Sequence, residues 1–269
     1  MWGAIIGDVV GSRFEFDNLR SKNFDFFTPK CFCTDDTVMS VAVAEALLKH
    51  ETICDEVDAD EFKRDLVSAF RKYGRAFPFC GFGNSFFMWV MGDDPAPYNS
   101  FGNGSAMRVS PVGWYAQTLD EAEHIAKLTS EVSHNHPEGI KGAVVTAGAI
   151  FLARTGKSKD EIKKYIESFE YNLSTSVATY QKTNKFDETC QKTIPVAMRC
   201  FLESEDFEDT IRNSISVGGD SDTIACIAGS LAEAFYGVPE ELKIQVEPFV
   251  DSFLKPTLKE FDKKYLPKC

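Results

Sequence analysis

The sequence has no excess of basic residues. Its 269 residues include 29 lysines and arginines against 41 aspartates and glutamates, so the formal net charge is -12. Proteins that bind nucleic acids gain much of their affinity when basic side chains displace the counterions of the phosphate backbone. A chain this acidic gives no general support for nucleic-acid binding and leaves room only for a local basic pocket.

Long apolar runs are also missing. No uninterrupted apolar stretch approaches the roughly 20 residues that span a bilayer. The segment 1–8 has no basic region, and its apolar run ends too early for a secretory signal peptide. We therefore expect a soluble, cytoplasmic protein without a membrane partner.

Paired cysteine motifs are scarce, although the chain contains eight cysteines. Cys31 and Cys33 form a single C-x-C, and no second pair follows at the spacing of a zinc site. Because the chain is long and lacks an export signal, reduced thiols are expected. We expect Cys226 to pack inside an apolar helix and Cys269 to be exposed.

The sequence shows no period-2 alternation, hairpin signal or internal repeat. It shows apolar and amphipathic helical patterns separated by glycine-rich loops. The predicted helices cover 4–11, 34–50, 60–73, 85–91, 119–129, 138–154, 159–169, 189–202, 206–216, 224–235 and 239–254, and one more starts near Pro111. Since 43% of the residues are hydrophobic and no composition break divides the chain, we predict an all-α protein with one domain over 1–269.

Two clusters of acidic and hydroxyl residues each precede an apolar helix. The first is Thr34-Asp35-Asp36-Thr37, and the second is Gly218-Gly219-Asp220-Ser221-Asp222-Thr223. One such residue is typical of a helix N-cap. A second acid beside it repels the first unless a cation or hydrogen-bond donors offset the charge. Because Mg²⁺ and Mn²⁺ prefer oxygen ligands, the two clusters together favour a shared divalent-metal centre.

A glycine-rich motif runs from Tyr98 to Arg108. Gly102 and Gly104 permit close approach of the backbone to a ligand, and consecutive N–H groups can bind an anion such as phosphate. A helix that followed would add the favourable potential of its N-terminus, and Phe101 can stack on a base. An ordinary tight turn is the alternative, because the spacing matches neither a Walker loop nor a Rossmann fingerprint.

Histidine is rare, and two of the four histidines flank Asn135. His134 and His136 without a third soft ligand are weak support for a metal site, so we expect one of them to be a polar contact at a helix entrance. Arg108 is either a phosphate contact or a buried structural cation. No Ser/His/Asp or Cys/His pattern indicates a nucleophile.

In chain order, these motifs resemble the ADP-ribosylglycohydrolase family, which includes the dinitrogenase reductase-activating glycohydrolases and the ADP-ribosyl-acceptor hydrolases. The resemblance rests on Gly7-Asp8-x-x-Gly11-Ser12 with Glu15, on Thr34–Thr37, on Gly102–Arg108, on Ser133-His134 and on Gly218–Thr223. It indicates a compact bacterial-type member without large insertions. It implies an orthogonal bundle of α-helices with a binuclear site for two Mg²⁺ or Mn²⁺ ions.

The resemblance also implies roles for individual residues. The implied metal ligands are Thr34, Asp35, Asp36, Asp220, Asp222 and Thr223. The implied substrate-binding residues are Ser100, Phe101, Gly102, Asn103, Gly104, Ser105, Met107 and His134, with Phe101 near the adenine. The implied catalytic residues are Glu15, Asp35 and Asp222. Glu15 matches the family's flap glutamate and lies between aromatic residues in the segment 13–30, which we expect to be an irregular, mobile loop. The segment 81–85 and the loop near Pro95 are expected on the acceptor side.

The implied reaction is metal-dependent hydrolysis of the glycosidic bond between C1″ of ADP-ribose and an acceptor side chain. Similarity to bacterial members favours ADP-ribosyl-arginine, with ADP-ribosyl-serine and small ADP-ribose conjugates as alternatives. A non-catalytic ADP-ribose-binding module is a further alternative, against which the intact acid set argues. A metal-dependent phosphohydrolase would instead release AMP and ribose phosphate. We expect a monomer.

Overall fold

The computed structural model describes residues 1–94 and 96–266. Within these residues the regular structure is helical without a strand, and an isolated β-bridge joins Gly102 to Thr189. The α-helices are α1 (Trp2–Gly11), α2 (Asp35–Leu48), α3 (Glu56–Ala76), α4 (Asn84–Met91), α5 (Gly104–Met107), α6 (Ser110–Tyr115), α7 (Leu119–Glu131), α8 (Pro137–Arg154), α9 (Lys159–Ser168), α10 (Val177–Thr183), α11 (Cys190–Leu202), α12 (Phe207–Ser216), α13 (Ser221–Tyr236), α14 (Glu240–Val246) and α15 (Lys255–Tyr265). The all-α prediction is confirmed.

The predicted helices are present, with bounds that differ by a few residues. One or two helices were predicted over 239–254, and the structure has α14, which ends at Val246, followed by a 3₁₀ turn over Glu247–Phe249. The sequence analysis missed α5, α10 and α15. α5 is a single turn, and α10 and α15 are short and mostly polar outside a few buried positions.

The core is built around three helices that are buried along most of their length. α2, α8 and α13 are rich in alanine, valine and other small residues, and they have few exposed positions. A helix that is apolar on all sides is stable only when other elements cover it. Accordingly, α8 packs against α5, α6, α7, α11 and α13, while α13 is covered by α1, α11 and α12.

A stripe of three glycines brings α1 into backbone contact with α13. A Cβ atom on Gly3 would lie 2.2 Å from the carbonyl oxygen of Gly229, and one on Gly7 would lie 2.1 Å from that of Ala225. At Gly11 the Cβ would lie 2.4 Å from Cα of Asp222. Any side chain at these positions would push the helices apart, so the stripe holds the acid of α1, Asp8, beside the start of α13.

The segment between α1 and α2 is irregular after one 3₁₀ turn, as predicted. It is anchored on the loop before α13: Asn18 accepts from the amide of Gly219 at 2.7 Å and donates to its carbonyl at 2.9 Å. Arg20 donates to the carbonyls of Val217 and Asn184. Both Gly218 and Gly219 have positive φ, which permits the turn that receives these contacts.

The seven described cysteines carry free thiols, which confirms the expectation for them, and Cys226 is buried within α13. Cys269 and Pro95 lie outside the described residues. None of the described helices has the length and hydropathy of a membrane span.

Candidate active site

The two acid clusters face one cavity of about 360 Å³. Its acidic wall comes from the start of α2, the start of α13 and the loop after α1, and consists of Glu15, Asp35, Asp36, Asp220, Asp222 and Thr223. One carboxylate oxygen from each of Glu15, Asp220 and Asp222 lies within 4.8 Å of the others. The structure therefore brings together residues that are almost 200 positions apart in the sequence.

Asp8, for which the sequence analysis assigned no role, organises the first cluster. It is fully buried in α1, and its carboxylate accepts from the hydroxyl of Thr34 at 2.7 Å and from the amides of Thr34 and Thr37 at 3.0 and 3.1 Å. The Thr37 hydroxyl also donates to it. Burial raises the pKa of Asp8 to about 6 against the lowering effect of these hydrogen bonds. Asp8 thus ties α1 to the first turn of α2.

The two helices begin differently. Thr34 is the N-cap of α2, and its hydroxyl accepts from the amide of Asp36. Asp220 stands at the N-cap position of α13 without a side-chain capping bond; its carboxylate instead accepts from the side-chain amide of Asn103 at 2.7 Å. The ordinary capping explanation therefore applies to the first cluster and does not account for Asp220.

Two carboxylate oxygens of the acidic wall are left without partners. Oδ1 of Asp36 and Oδ1 of Asp222 are buried and have no hydrogen-bond partner among the described residues. The hydroxyl of Thr223 donates to Oδ2 of Asp36 at 3.2 Å and links the clusters. Burial, followed by the charges of neighbouring acids, raises the pKa of both Asp36 and Asp222 well above the usual range. In the part of the chain that the structure describes, no lysine or arginine forms an ion pair with them.

This donor set fits hard divalent cations. An unpartnered buried carboxylate oxygen is costly in an apolar interior, and a cation bound by several carboxylates removes that cost. Gly81 adds to the fit: its φ is +120°, and a Cβ there would lie 2.9 Å from Oδ1 of Asp35. Only glycine is compatible with both the backbone conformation and the space around that carboxylate.

Glu15 lies half-buried at the edge of the acidic wall. Burial, followed by the charges of Asp220, Glu188 and Asp8, raises the pKa of Glu15 to about 7. Phe16 is 84% exposed, so the aromatic residues beside Glu15 desolvate its carboxyl group less than their positions in the sequence suggested. The raised pKa is that of a carboxyl group able to exchange a proton near neutral pH.

The glycine-rich segment forms a second part of the cavity wall. Ser100, Gly102, Asn103, Gly104, Met107 and His134 line it, together with Arg108. Ser105 does not, because it is fully buried and its hydroxyl donates to the carbonyl of Gly139 at 2.8 Å. The helix that follows, α5, is a single turn, so the expected contribution of a helix dipole to phosphate binding is small.

Asn103 lines the cavity, whereas Phe101 does not. Asn103 is buried, and its amide donates to Asp220 and to Thr193, which makes it a support for the second acid cluster. Phe101 is 45% exposed and faces a groove next to the cavity that Phe186 also lines. The ring of Phe101 packs on His136 with ring centroids 5.2 Å apart, and its exposed part faces the groove.

Two further parts of the wall stand out. Glu188 borders both the cavity and the groove, and the sequence analysis missed it because a single acid before α11 carries no pattern. Gly81, Gly83, Asn84 and Ser85 of the proposed acceptor segment line the cavity, whereas Phe82 packs on Phe86 with ring centroids 5.2 Å apart.

The two histidines have separate environments. His136 is the N-cap of α8, where its Nδ1 accepts from the amide of Glu138 at 3.1 Å, which confirms the expected polar contact at a helix entrance. His134 is buried against the glycine-rich segment. Burial, followed by the charge of Arg108, holds the pKa of His134 well below its ordinary value. Arg108 is itself 1% exposed, which identifies it as a buried cation.

Comparisons with known proteins identify the family of the sequence. The sequence model of a family described as ADP-ribosylglycohydrolase matches residues 1–265. ADP-ribosylhydrolase ARH3 of Homo sapiens is 27% identical, with 93% of this chain and 88% of that protein covered. ADP-ribosylarginine hydrolase Tri1 of Pseudomonas putida is 25% identical over 88% of this chain and 69% of that protein.

The fold agrees as well. A solved structure described as an ADP-ribosylglycohydrolase-related protein complex superposes with a TM-score of 0.66 at 19% identity, and 91% of this chain and 93% of that one are covered. At this identity the likeness concerns the fold alone. The family match over nearly the whole sequence goes further: this chain belongs to the ADP-ribosylglycohydrolase family of enzymes.

Proposed function

We propose that this chain hydrolyses the glycosidic bond between C1″ of ADP-ribose and an arginine side chain, with two bound Mg²⁺ or Mn²⁺ ions. The observation that carries the metal requirement is the pair of buried, unpartnered oxygens on Asp36 and Asp222 in a cavity lined by further acids. The proposed ligands are Thr34, Asp35, Asp36, Asp220, Asp222 and Thr223. The hydroxyl of Thr34 donates its hydrogen to Asp8 and accepts from the amide of Asp36, which leaves one lone pair of its oxygen for a cation.

The cations, when bound, supply Lewis acidity that lowers the pKa of a water molecule and anchors ribose hydroxyls. The remaining steps belong to side chains of this protein. The carboxyl group of Glu15 is proposed to take the proton of the attacking water or to protonate the departing acceptor atom. Asp35 and Asp222 supply negative charge to the reacting region. Asp8 holds the first acid cluster in place through Thr34, and Asn103 holds the second through Asp220.

The part of the wall formed by the glycine-rich segment is proposed to hold the rest of the ligand. Ser100, Gly102, Gly104 and Met107 would face the diphosphate and ribose, with His134 as a polar contact and Phe101 against the adenine. Ser105 would hold the glycine-rich loop in place and would not contact the ligand itself, since its hydroxyl donates to the carbonyl of Gly139. Fixing the ligand at several points converts binding energy into orientation of the glycosidic bond.

The charge of the cavity supports arginine as the acceptor. Glu15 and Glu188 line the same cavity as the segment proposed for the acceptor side, and their carboxylates, when deprotonated, favour a cationic acceptor. A guanidinium group carries a positive charge and several N–H donors, whereas a serine hydroxyl carries no charge. The name of the relative Tri1 also specifies ADP-ribosylarginine.

The test uses two peptides, one ADP-ribosylated on arginine and one on serine, incubated with Mg²⁺ or Mn²⁺ and analysed by mass spectrometry. Release of intact ADP-ribose from the arginine peptide alone supports the proposal, and release from the serine peptide alone replaces the acceptor. AMP and ribose phosphate would indicate a phosphohydrolase. Tight ADP-ribose binding without release from any conjugate would indicate a binding module. Chelation, or the substitution Asp35→Ala, is expected to abolish release, and full activity of metal-free protein would exclude the metal role.

A further inference from the structure

His134 presents one ring nitrogen to the cavity. A Cβ atom added to Gly104 would lie 3.0 Å from Nε2, and one added to Gly102 would lie 3.6 Å from it. The glycines therefore keep Nε2 uncovered where the cavity meets the glycine-rich segment. Gly104 has no positive φ, so its backbone conformation is one that alanine also adopts.

The other ring nitrogen is held by a chain of two buried residues. The hydroxyl of Ser133 lies 2.8 Å from Nδ1 of His134. Nη2 of Arg108 donates to the same hydroxyl oxygen at 2.8 Å and to the carbonyl of Thr129 at 2.8 Å. Ser133 and His134 are 0% and 4% exposed, so the chain is closed to solvent.

The donors and acceptors of this chain determine where the ring proton lies. A guanidinium group only donates, so the oxygen of Ser133 accepts from Arg108. The single hydrogen of that hydroxyl has no other acceptor among the described residues and is donated to Nδ1. Nδ1 is then an acceptor, and a neutral imidazole whose Nδ1 accepts carries its proton on Nε2.

The surroundings keep the ring neutral. Arg108 lies with its Cζ 4.3 Å from the ring centroid of Phe70, and it has no carboxylate partner in the described part of the chain. An imidazolium in contact with this chain would place a second buried positive charge next to the first, which is unfavourable. His134 is therefore one N–H donor aimed at the cavity.

We propose that Arg108 and Ser133 are positioning residues that hold His134 as the Nε2–H tautomer, so that it donates one hydrogen bond to an oxygen atom of bound ADP-ribose. The ligand in this statement rests on the function proposed above. The tautomer does not, because it follows from the protein alone.

The test measures the tautomer and the affinity separately. Protein labelled with ¹⁵N-histidine is examined by NMR without metal or ligand, and the His134 signals are identified by their loss in His134→Gln. We expect a pyrrole-type Nε2 and a pyridine-type Nδ1. In Ser133→Ala both signals should move towards a mixture of tautomers, and the Kd for ADP-ribose should rise about two- to tenfold, the effect of one hydrogen bond. Ser133→Thr, which keeps the hydroxyl, should restore both.

Two more variants separate this role from general packing. Ser130 is a neighbouring buried serine whose hydroxyl donates to the backbone carbonyl of His134, so Ser130→Ala should leave the tautomer unchanged. Gly104→Ala should weaken ADP-ribose binding while the ring signals of the free protein keep the Nε2–H pattern.

A protonated Nδ1 in the wild type would overturn the proposal, as would a Ser133→Ala protein with unchanged ring signals. An Nε2–H pattern combined with unaltered ADP-ribose affinity in both Ser133→Ala and Gly104→Ala would overturn the ligand contact. Failure of the hydrolysis assay has no bearing on the ring signals, so the two proposals can fail independently.

Discussion

Because the cavity is rich in acids, a bound divalent cation should stabilise the folded protein. A single Asp→Asn substitution there should stabilise the metal-free protein and weaken the effect of the cation. Asp222 is buried, its Oδ1 has no partner, and Asp220 and Asp36 add like charge beside it. Metal-free protein therefore carries unfavourable charge in the native state. A cation that binds only the folded protein stabilises it by about 2.7 kcal/mol at a hundredfold excess over Kd. For a chain of this size that corresponds to a rise in Tm of about 5–10 °C.

Asp222→Asn should raise the Tm of the metal-free protein and reduce the increase in Tm that Mn²⁺ causes. Each unit by which a carboxyl pKa is raised in the folded state corresponds to about 1.4 kcal/mol of lost stability at neutral pH. The metal-free variant should therefore melt at a temperature about 3–6 °C above that of metal-free wild type for each such unit. Its Tm should respond little to Mn²⁺, because one ligand oxygen and one negative charge are gone.

Differential scanning fluorimetry of chelator-treated protein, with and without Mn²⁺, measures both effects. The matched control is Asp262→Asn on α15. Burial also raises the pKa of Asp262, but this residue does not line the cavity. The control should keep the full increase in Tm on addition of Mn²⁺. Equal increases in wild type and Asp222→Asn, or no increase in wild type at saturating Mn²⁺, would refute the argument that these carboxylates hold the cation.

Three further predictions concern single residues. Glu15→Gln should lower kcat at least about a hundredfold, the lower range for general acid–base catalysis, and leave the Kd for ADP-ribose nearly unchanged; an unaltered kcat removes Glu15 from the chemistry. Phe101→Ala should weaken ADP-ribose binding about tenfold through lost stacking and leave the affinity for ribose 5-phosphate unchanged; an equal loss for both ligands would contradict stacking on adenine. His134 titrates at a lower pH in the folded protein than in the unfolded chain, so the unfolded state binds the proton first as the pH falls. Urea unfolding of wild type and His134→Gln should show a constant stability difference above about pH 6.5, and wild type should lose up to about 1.4 kcal/mol per pH unit below it; a pH-independent difference would show that the folded ring is not held neutral.

Local patterns in the sequence predicted where each acid cluster begins a helix, because capping residues and apolar runs are read within a few positions. The pairing of α1 with α13 could not be predicted in that way. Gly3, Gly7 and Gly11 recur every four residues in the sequence, but this spacing indicates only that another backbone approaches closely. The partner, at Gly229, Ala225 and Asp222, is defined by the tertiary fold.

Helices that depend on tertiary packing were the ones missed. α10 buries Val177 and otherwise has partly or fully exposed residues, and α15 buries Thr257, Leu258 and Phe261 on a charged helix. Short helices of this kind have little stability of their own and form because the core accepts a few of their side chains. Their sequence pattern is accordingly weak.

The distribution of hydrogen bonds divides the acids into two groups that the sequence alone does not distinguish. Both oxygens of Asp8 accept hydrogen bonds from hydroxyls and amides, so that carboxylate is satisfied by the protein and acts by holding Thr34 and Thr37. Asp36 and Asp222 each keep one buried oxygen without a donor, although hydroxyl groups lie close by. An unpartnered buried oxygen alone does not mark a ligand site, because Oδ1 of Asp262 and Oε2 of Glu138 also lack partners and neither residue lines the cavity. Asp36 and Asp222 differ in that they line a cavity together with further acids. That combination favours a bound cation, and a count of acidic residues in a motif cannot separate these two acids from Asp8, which holds the motif in place.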